Sequence, residues 1–216
     1  GESGDGRLHL FRNDGDGRFS DVTGDSGLAG LPVQRWHAEY GNAIAGDLDN
    51  DGWPDLVLTS LERRQPVLVF RNEGGLRFHR QDLDLGATGR GSEGHAARAD
   101  LADYDLDGRL DLVKTQAGSN LGLWRNVGDA DGAWMQVRLR GPRGNSDAVG
   151  AHARWFAAGS RDLLAHSAVQ VGPGHPARVL HAGLGAADRV DLELRWPHGG
   201  PAWRFPGLAT GQPVVA

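Results

Sequence analysis

The chain has 216 residues, 39% of them hydrophobic, a formal net charge of −5 and no cysteine. Length and composition suit one large or two small soluble globular domains, and the missing thiols exclude disulfides, zinc-thiolate centres and cysteine nucleophiles. Mild acidity without a basic stripe argues against nucleic acid as a partner, and no apolar run approaches the roughly 18 residues that a membrane-spanning helix needs. Lys114 is the only lysine among abundant arginines, a bias that reads as coding-genome composition rather than function. The opening at Gly1, without methionine or signal peptide, predicts a processed or trimmed product.

In chain order, Leu8 to Asn13, the turn Asp14-Gly15-Asp16-Gly17 and Phe19 to Thr23 predict a β-hairpin. Trp36-His37 and the apolar Ala43-Ile44-Ala45 lead into Asp47-Leu48-Asp49-Asn50-Asp51-Gly52-Trp53-Pro54-Asp55. The β-prone run Leu56 to Thr59 follows, then Val67 to Asn72, the turn Glu73-Gly74-Gly75 and Leu76 to Phe78. Gly89 to His95 is Gly-rich but lacks the Gly-Lys-Ser/Thr ending of a phosphate loop, so it reads as a surface connection. The aspartate stretch then returns as Asp103-Tyr104-Asp105-Leu106-Asp107-Gly108-Arg109-Leu110-Asp111, followed by Leu112 to Thr115, Leu121 to Asn126 and Trp134 to Leu139.

Phe11-Arg12-Asn13, Phe70-Arg71-Asn72 and Trp124-Arg125-Asn126 each close an apolar run before a Gly-rich turn. Their aromatic residues are 59 and 54 positions apart, and the two aspartate stretches are 56 apart. A period of this size in strand-rich sequence signals stacked repeats, most often propeller blades.

The aspartate stretches suit Ca²⁺. A hard cation of that size takes six to eight oxygens at about 2.3–2.6 Å, and alternate side chains of a tight loop converge on one point. Gly52 and Gly108 supply the turn. An EF-hand would place a bidentate Glu at the twelfth position and flank the loop with helices; here those positions are Leu58 and Lys114, and β-prone runs follow. The bland alternative, that these are hydrophilic hairpin turns, is disfavoured by the repeated spacing and the same fourth aspartate.

Asp-x-Asp-x-Asp-Gly-x-x-Asp-Leu, followed by an aromatic-Arg-Asn strand and a Gly-rich turn, resembles the FG-GAP, or VCBS, repeat of integrin-type propellers over about residues 4 to 140. The resemblance implies that Asp47, Asp49, Asp51 and Asp55, and again Asp103, Asp105, Asp107 and Asp111, ligate calcium, with a backbone carbonyl at Trp53 and at Arg109 completing each set. The first segment has its hairpin but no preceding calcium loop. The expected fold is therefore all-β: a partial propeller-like stack of about two and a half blades in residues 1–140, then a small β-sandwich or barrel in 141–216.

That second segment shows short alternating runs at His152 to Phe156, Leu163 to His166, Val179 to His181 and Val190 to Trp196. Asn145-x-Asp147-Ala-Val-Gly150-Ala, Ala182-Gly183-Leu184-Gly185 and Val190-Asp-Leu-Glu-Leu-Arg195-Trp196-Pro197-x-Gly199 resemble the ASPIC/UnbV domain. In cartilage acidic protein-like and bacterial secreted proteins that domain directly follows such repeats. The run Val171 to Pro176 departs from the family's usual central strand pair.

The nine histidines form no His-Glu-x-x-His pair and no Gly-x-Ser-x-Gly elbow is present, so hydrolase chemistry finds no foothold. Of the seven tryptophans, Trp53, Trp124, Trp134 and Trp196 fall in repeat or strand motifs and are expected in packing positions, while Trp36 and Trp203 are less constrained. The favoured expectation is a non-enzymatic, calcium-binding β scaffold, an accessory subunit docked through protein-protein contacts on a larger extracytoplasmic or membrane-associated assembly, periplasmic or secreted. The alternative is a calcium-dependent carbohydrate-binding or carbohydrate-processing protein.

Overall fold

The computed structural model describes residues 8–29, 40–60, 67–81, 98–115, 121–128, 132–168, 179–197, 199 and 201–215. The expected features at Trp36, Gly89 to His95 and Val171 to Pro176 lie outside them. Within them the chain is almost entirely β, with a single 3₁₀ turn at Thr23–Asp25 and no α-helix.

A hairpin joins β1 (Phe11–Gly15) to β2 (Arg18–Asp21). Four antiparallel strands follow in sequential order: β3 (Tyr40–Gly46), β4 (Asp55–Ser60), β5 (Leu68–Asn72) and β6 (Phe78–Gln81). A three-stranded sheet holds β7 (Arg98–Ala102), β8 (Asp111–Thr115) and β9 (Leu121–Trp124). None of these small sheets is closed, so the fold is a partial propeller-like all-β architecture. Each aspartate stretch connects the first and second strands of its sheet, β3 to β4 and β7 to β8. Its fourth aspartate is the first residue of the second strand.

Sequence reading puts Trp134 to Leu139 in the same repeat as Leu121 to Asn126, yet β10 (Ala133–Arg138) leaves that sheet. It lies between an antiparallel β13 (Val179–Gly185) and a parallel β16 (Gln212–Val215). The reason is burial on both faces: Met135, Gln136 and Val137 are all buried, which suits the centre of a sheet rather than its rim. Among the described residues β9 is left at the edge of its own sheet. The last sheet runs β12 (Leu163–Ala168), β11 (His152–Ala157), β14 (Arg189–Arg195), β15 (Trp203–Ala209).

The chain divides into two compact units. One comprises Gly1–Gly46, Pro54–Ala99 and Val113–Trp124, the other Asp47–Trp53, Asp100–Leu112 and Arg125–Ala216. The first has its core in Leu28, Leu58, Leu68, Phe70 and Phe78. The second is centred on Trp155, fully buried among Met135, Val137, Leu180, Val190, Leu192 and Leu194. Burying side chains of this size contributes about 1.5–3 kcal/mol each. Strict alternation makes this core: Ala153 and Trp155 point inward from β11 while His152 and Arg154 are exposed.

Candidate metal centre

The two aspartate stretches fold by one rule. In the first, Asp47 accepts hydrogen bonds from the backbone N–H of Asp51 (3.1 Å) and Gly52 (2.8 Å). In the second, Asp103 accepts from Asp107 (3.1 Å) and Gly108 (2.9 Å). Closing so tight a loop puts two backbone positions in the left-handed region: Asn50 at φ 61° and Gly52 at 97°, Leu106 at 62° and Gly108 at 89°. Asparagine and glycine tolerate that region, whereas a leucine there is strained by about 1–2 kcal/mol. Leu106 is 67% exposed, so Leu106→Asn sacrifices no core contact. That variant is expected to gain about 1 kcal/mol in urea unfolding.

The fourth aspartates are fully buried and bonded to the Arg-Asn motif downstream. Asp55 accepts the Asn72 N–H (2.9 Å) and the Arg71 guanidinium (3.0 Å). Asp111 accepts the Asn126 N–H (2.7 Å) and the Tyr104 N–H (3.2 Å). The asparagine side chain then closes the next turn, accepting the N–H of Gly74 or Gly128; Asn13 does the same for Gly15 in the first hairpin. The recurring Arg-Asn-x-Gly signature is thus an Asx turn whose backbone also holds the last carboxylate of the loop.

Within each stretch three carboxylates gather. Asp103, Asp105 and Asp111 each bring one oxygen to within 4.8 Å of the others, and along the first stretch Asp47, Asp49 and Asp55 do likewise. Two oxygens on one ion bound at about 2.3–2.6 Å cannot lie farther apart than about 5 Å, so both groups fit one hard cation. Asp51 and Asp107 are not in these groups. Asp51 accepts the Trp53 N–H (2.7 Å) and Asp107 the Arg109 N–H (3.0 Å), which puts Trp53 and Arg109 inside the loop turns. Trp53 is 50% exposed, against the expectation of a packing position, because the turn it follows projects it away from the core.

The electrostatics favour a cation. Burial, with Asp107 close by, pushes the Asp103 carboxyl up from its ordinary range, and burial with Asp105 and Asp107 does the same to Asp111. Arg125 offsets part of this repulsion, pairing with Asp105 (2.6 Å) and Asp107 (2.9 Å).

Nothing in the local sequence pattern singles out the residues that hold the loops in place. Asn50, 1% exposed, donates to the Gly108 carbonyl at 2.9 Å and so ties one loop to the other. Its Oδ1 accepts from His181 Nε2 at 2.9 Å, and its carbonyl accepts the Gly185 N–H at 2.8 Å. Asn126 reaches across to the Leu48 carbonyl (2.8 Å), and Gln136 donates to Asp103 (2.7 Å). Gly108 packs against the Trp134 ring, and Gly183 against the Asp47 carboxylate, so closely that neither position has room for a methyl group. The Ala182-Gly183-Leu184-Gly185 signature is therefore shaped by the first loop.

A family model described as FG-GAP-like repeat matches residues 3–58 and 47–114, together more than half of the chain. No curated protein matches it.

Proposed function

The chain belongs to the FG-GAP-like repeat family, and from that premise we propose that it is a non-enzymatic, calcium-stabilised β scaffold that engages another protein. The observation that carries this reading is the pair of three-carboxylate groups at equivalent points of two repeats. Asp47, Asp49 and Asp55 would hold one calcium ion and Asp103, Asp105 and Asp111 the other, with Asp51, Asp107 and the carbonyls of Trp53 and Arg109 as further oxygens. The ion would supply charge neutralisation: held only by the native state, it stabilises that state by about 2.7 kcal/mol at a hundredfold excess over its dissociation constant.

The partner is a protein, and the chain serves as an accessory subunit of a larger extracytoplasmic or membrane-associated assembly. Calcium is plentiful in that compartment, and no helix among the described residues is long and apolar enough to cross a membrane. Edge strand β9 carries Leu121 and Leu123, 70% and 48% exposed, and the first hairpin carries Phe11 and Phe19, 56% and 61% exposed; unpaired strand edges with apolar side chains favour pairing with another chain. Residues 141–216 act in this reading as an ASPIC/UnbV-like module that buttresses the loops through Gly183 and Gly185. Thermal unfolding in calcium and in EDTA tests the proposal: a large calcium-dependent rise in Tm, lost in Asp49→Asn/Asp105→Asn, is expected, and equal Tm in both buffers would refute it.

Half-exposed Trp53, beside the first loop, favours a second reading, calcium-dependent glycan binding. It would require glycan affinity that vanishes both in EDTA and in Trp53→Ala.

A further inference from the structure

The outer face of the sheet β12-β11-β14-β15 carries two histidines that the aspartate loops do not use. Alternation along β11 turns His152 and Arg154 outward, and the pairing of Arg154 with His166 on β12 sets His166 diagonally beside His152. The His152 Nδ1 and His166 Nε2 atoms are 3.3 Å apart. Two nitrogens bound tetrahedrally to one ion at 2.0–2.1 Å stand about 3.3 Å apart as well. We propose that His152 and His166 form a binding site for a transition-metal ion of imidazole preference, such as Zn²⁺, separate from the aspartate loops.

The chemistry of the donors supports this assignment. Imidazole suits zinc, copper and nickel, whereas carboxylate and carbonyl oxygens suit calcium, so the two kinds of site select different ions. Both rings are exposed and nearly parallel, at 18°. Desolvation, with His152 and Arg154 alongside, holds His166 below the usual imidazole range.

Arg154 sets the sign of a second effect. It stands opposite both His166 and Glu193 in register, and Glu193 is already held by Arg195 (2.9 Å) and Arg204 (2.7 Å). The guanidinium therefore repels an ion arriving at the histidine pair. Removing its charge tightens the site.

The competing explanation is an N–H···N hydrogen bond between neutral rings, which has the same separation but no metal affinity. Calorimetric titration of the whole chain with Zn²⁺, in millimolar calcium to fill the loops, separates the two. His152→Ala and His166→Ala are each expected to weaken zinc binding by about tenfold or more, and Arg154→Gln to strengthen it, while all three keep the wild-type melting curve in calcium because the altered side chains are exposed. His152→Gln and His166→Gln repeat the test with side chains of closer size. Absence of zinc binding in the wild type, or zinc affinity unchanged in the histidine variants, would overturn the proposal.

Discussion

Gly183→Ala is expected to destabilise the chain by about 3 kcal/mol in urea unfolding, at the upper end of what overpacking costs. Gly183 lies in β13 with its α-carbon against the Asp47 carboxylate and the Asn50 backbone. A methyl group there forces either the strand or the loop to move. Moving the strand disturbs its pairing with β10 across Met135↔Ala182 and Trp134↔Gly183; moving the loop breaks the two N–H bonds that Asp47 accepts. Gly24 is the control: nothing lies within 4 Å of a methyl built there, and Gly24→Ala should stay within about 0.5 kcal/mol of wild type. Equal stability of the two variants would contradict the close seating of β13 on the first loop.

The second large effect is a loss of stability on acidification that traces to His181. This side chain is partly buried, stacks on Trp134 at 6.4 Å and uses Nε2–H to donate to Asn50. Nδ1 then faces the interior with no hydrogen-bond partner among the described residues. Protonation would place a charged N–H where nothing accepts it, and burial accordingly pushes the group down to about 4 from its ordinary 6.5. In the unfolded chain the histidine takes its proton near pH 6.5, whereas the native state refuses it until about pH 4. The contribution is thus complete above pH 6.5 and is lost as pH falls towards 4, by about 3 kcal/mol in all. His181→Gln keeps a donor for Asn50 and has no proton to gain, so its stability should be flatter across that interval. An identical acid-side slope in wild type and variant, measured by denaturant unfolding at several pH values, would contradict the account.

Much of the architecture was legible in the sequence because the repeats announce themselves. The Asp-x-Asp-x-Asp-Gly-x-x-Asp spacing located both loops and the strands that follow them, and the Arg-Asn motif marked β5 and the end of β9. Local signals of this kind are strong because they encode turns whose geometry only a few residue types can adopt. Legibility failed where a residue's role is set by distant chain. Trp134 to Leu139 reads as one more repeat strand, yet its partners are Val179–Gly185 and Gln212–Val215, and nothing local distinguishes a strand buried on two faces from one buried on one. Asn50 stands between two aspartates of the motif, and its left-handed backbone and three hydrogen bonds make it the tie between the loops. His181, 131 positions away from Asn50, carried no signal at all. β7, β15 and β16 likewise carried no clear strand signal, since the Arg, Gly and Pro residues they contain interrupt any apolar run.

Counting ions shows whether each aspartate loop holds a calcium ion. The EDTA-stripped chain would be titrated with calcium by calorimetry, and native mass spectrometry of the loaded protein would give the number bound. Two ions are expected, one fewer in Asp105→Asn, and heat changes that disappear when both loops are altered in Asp49→Asn/Asp105→Asn. No bound calcium, or binding that persists unchanged in the double variant, would contradict this expectation and leave the aspartate stretches as hydrogen-bonded turns alone.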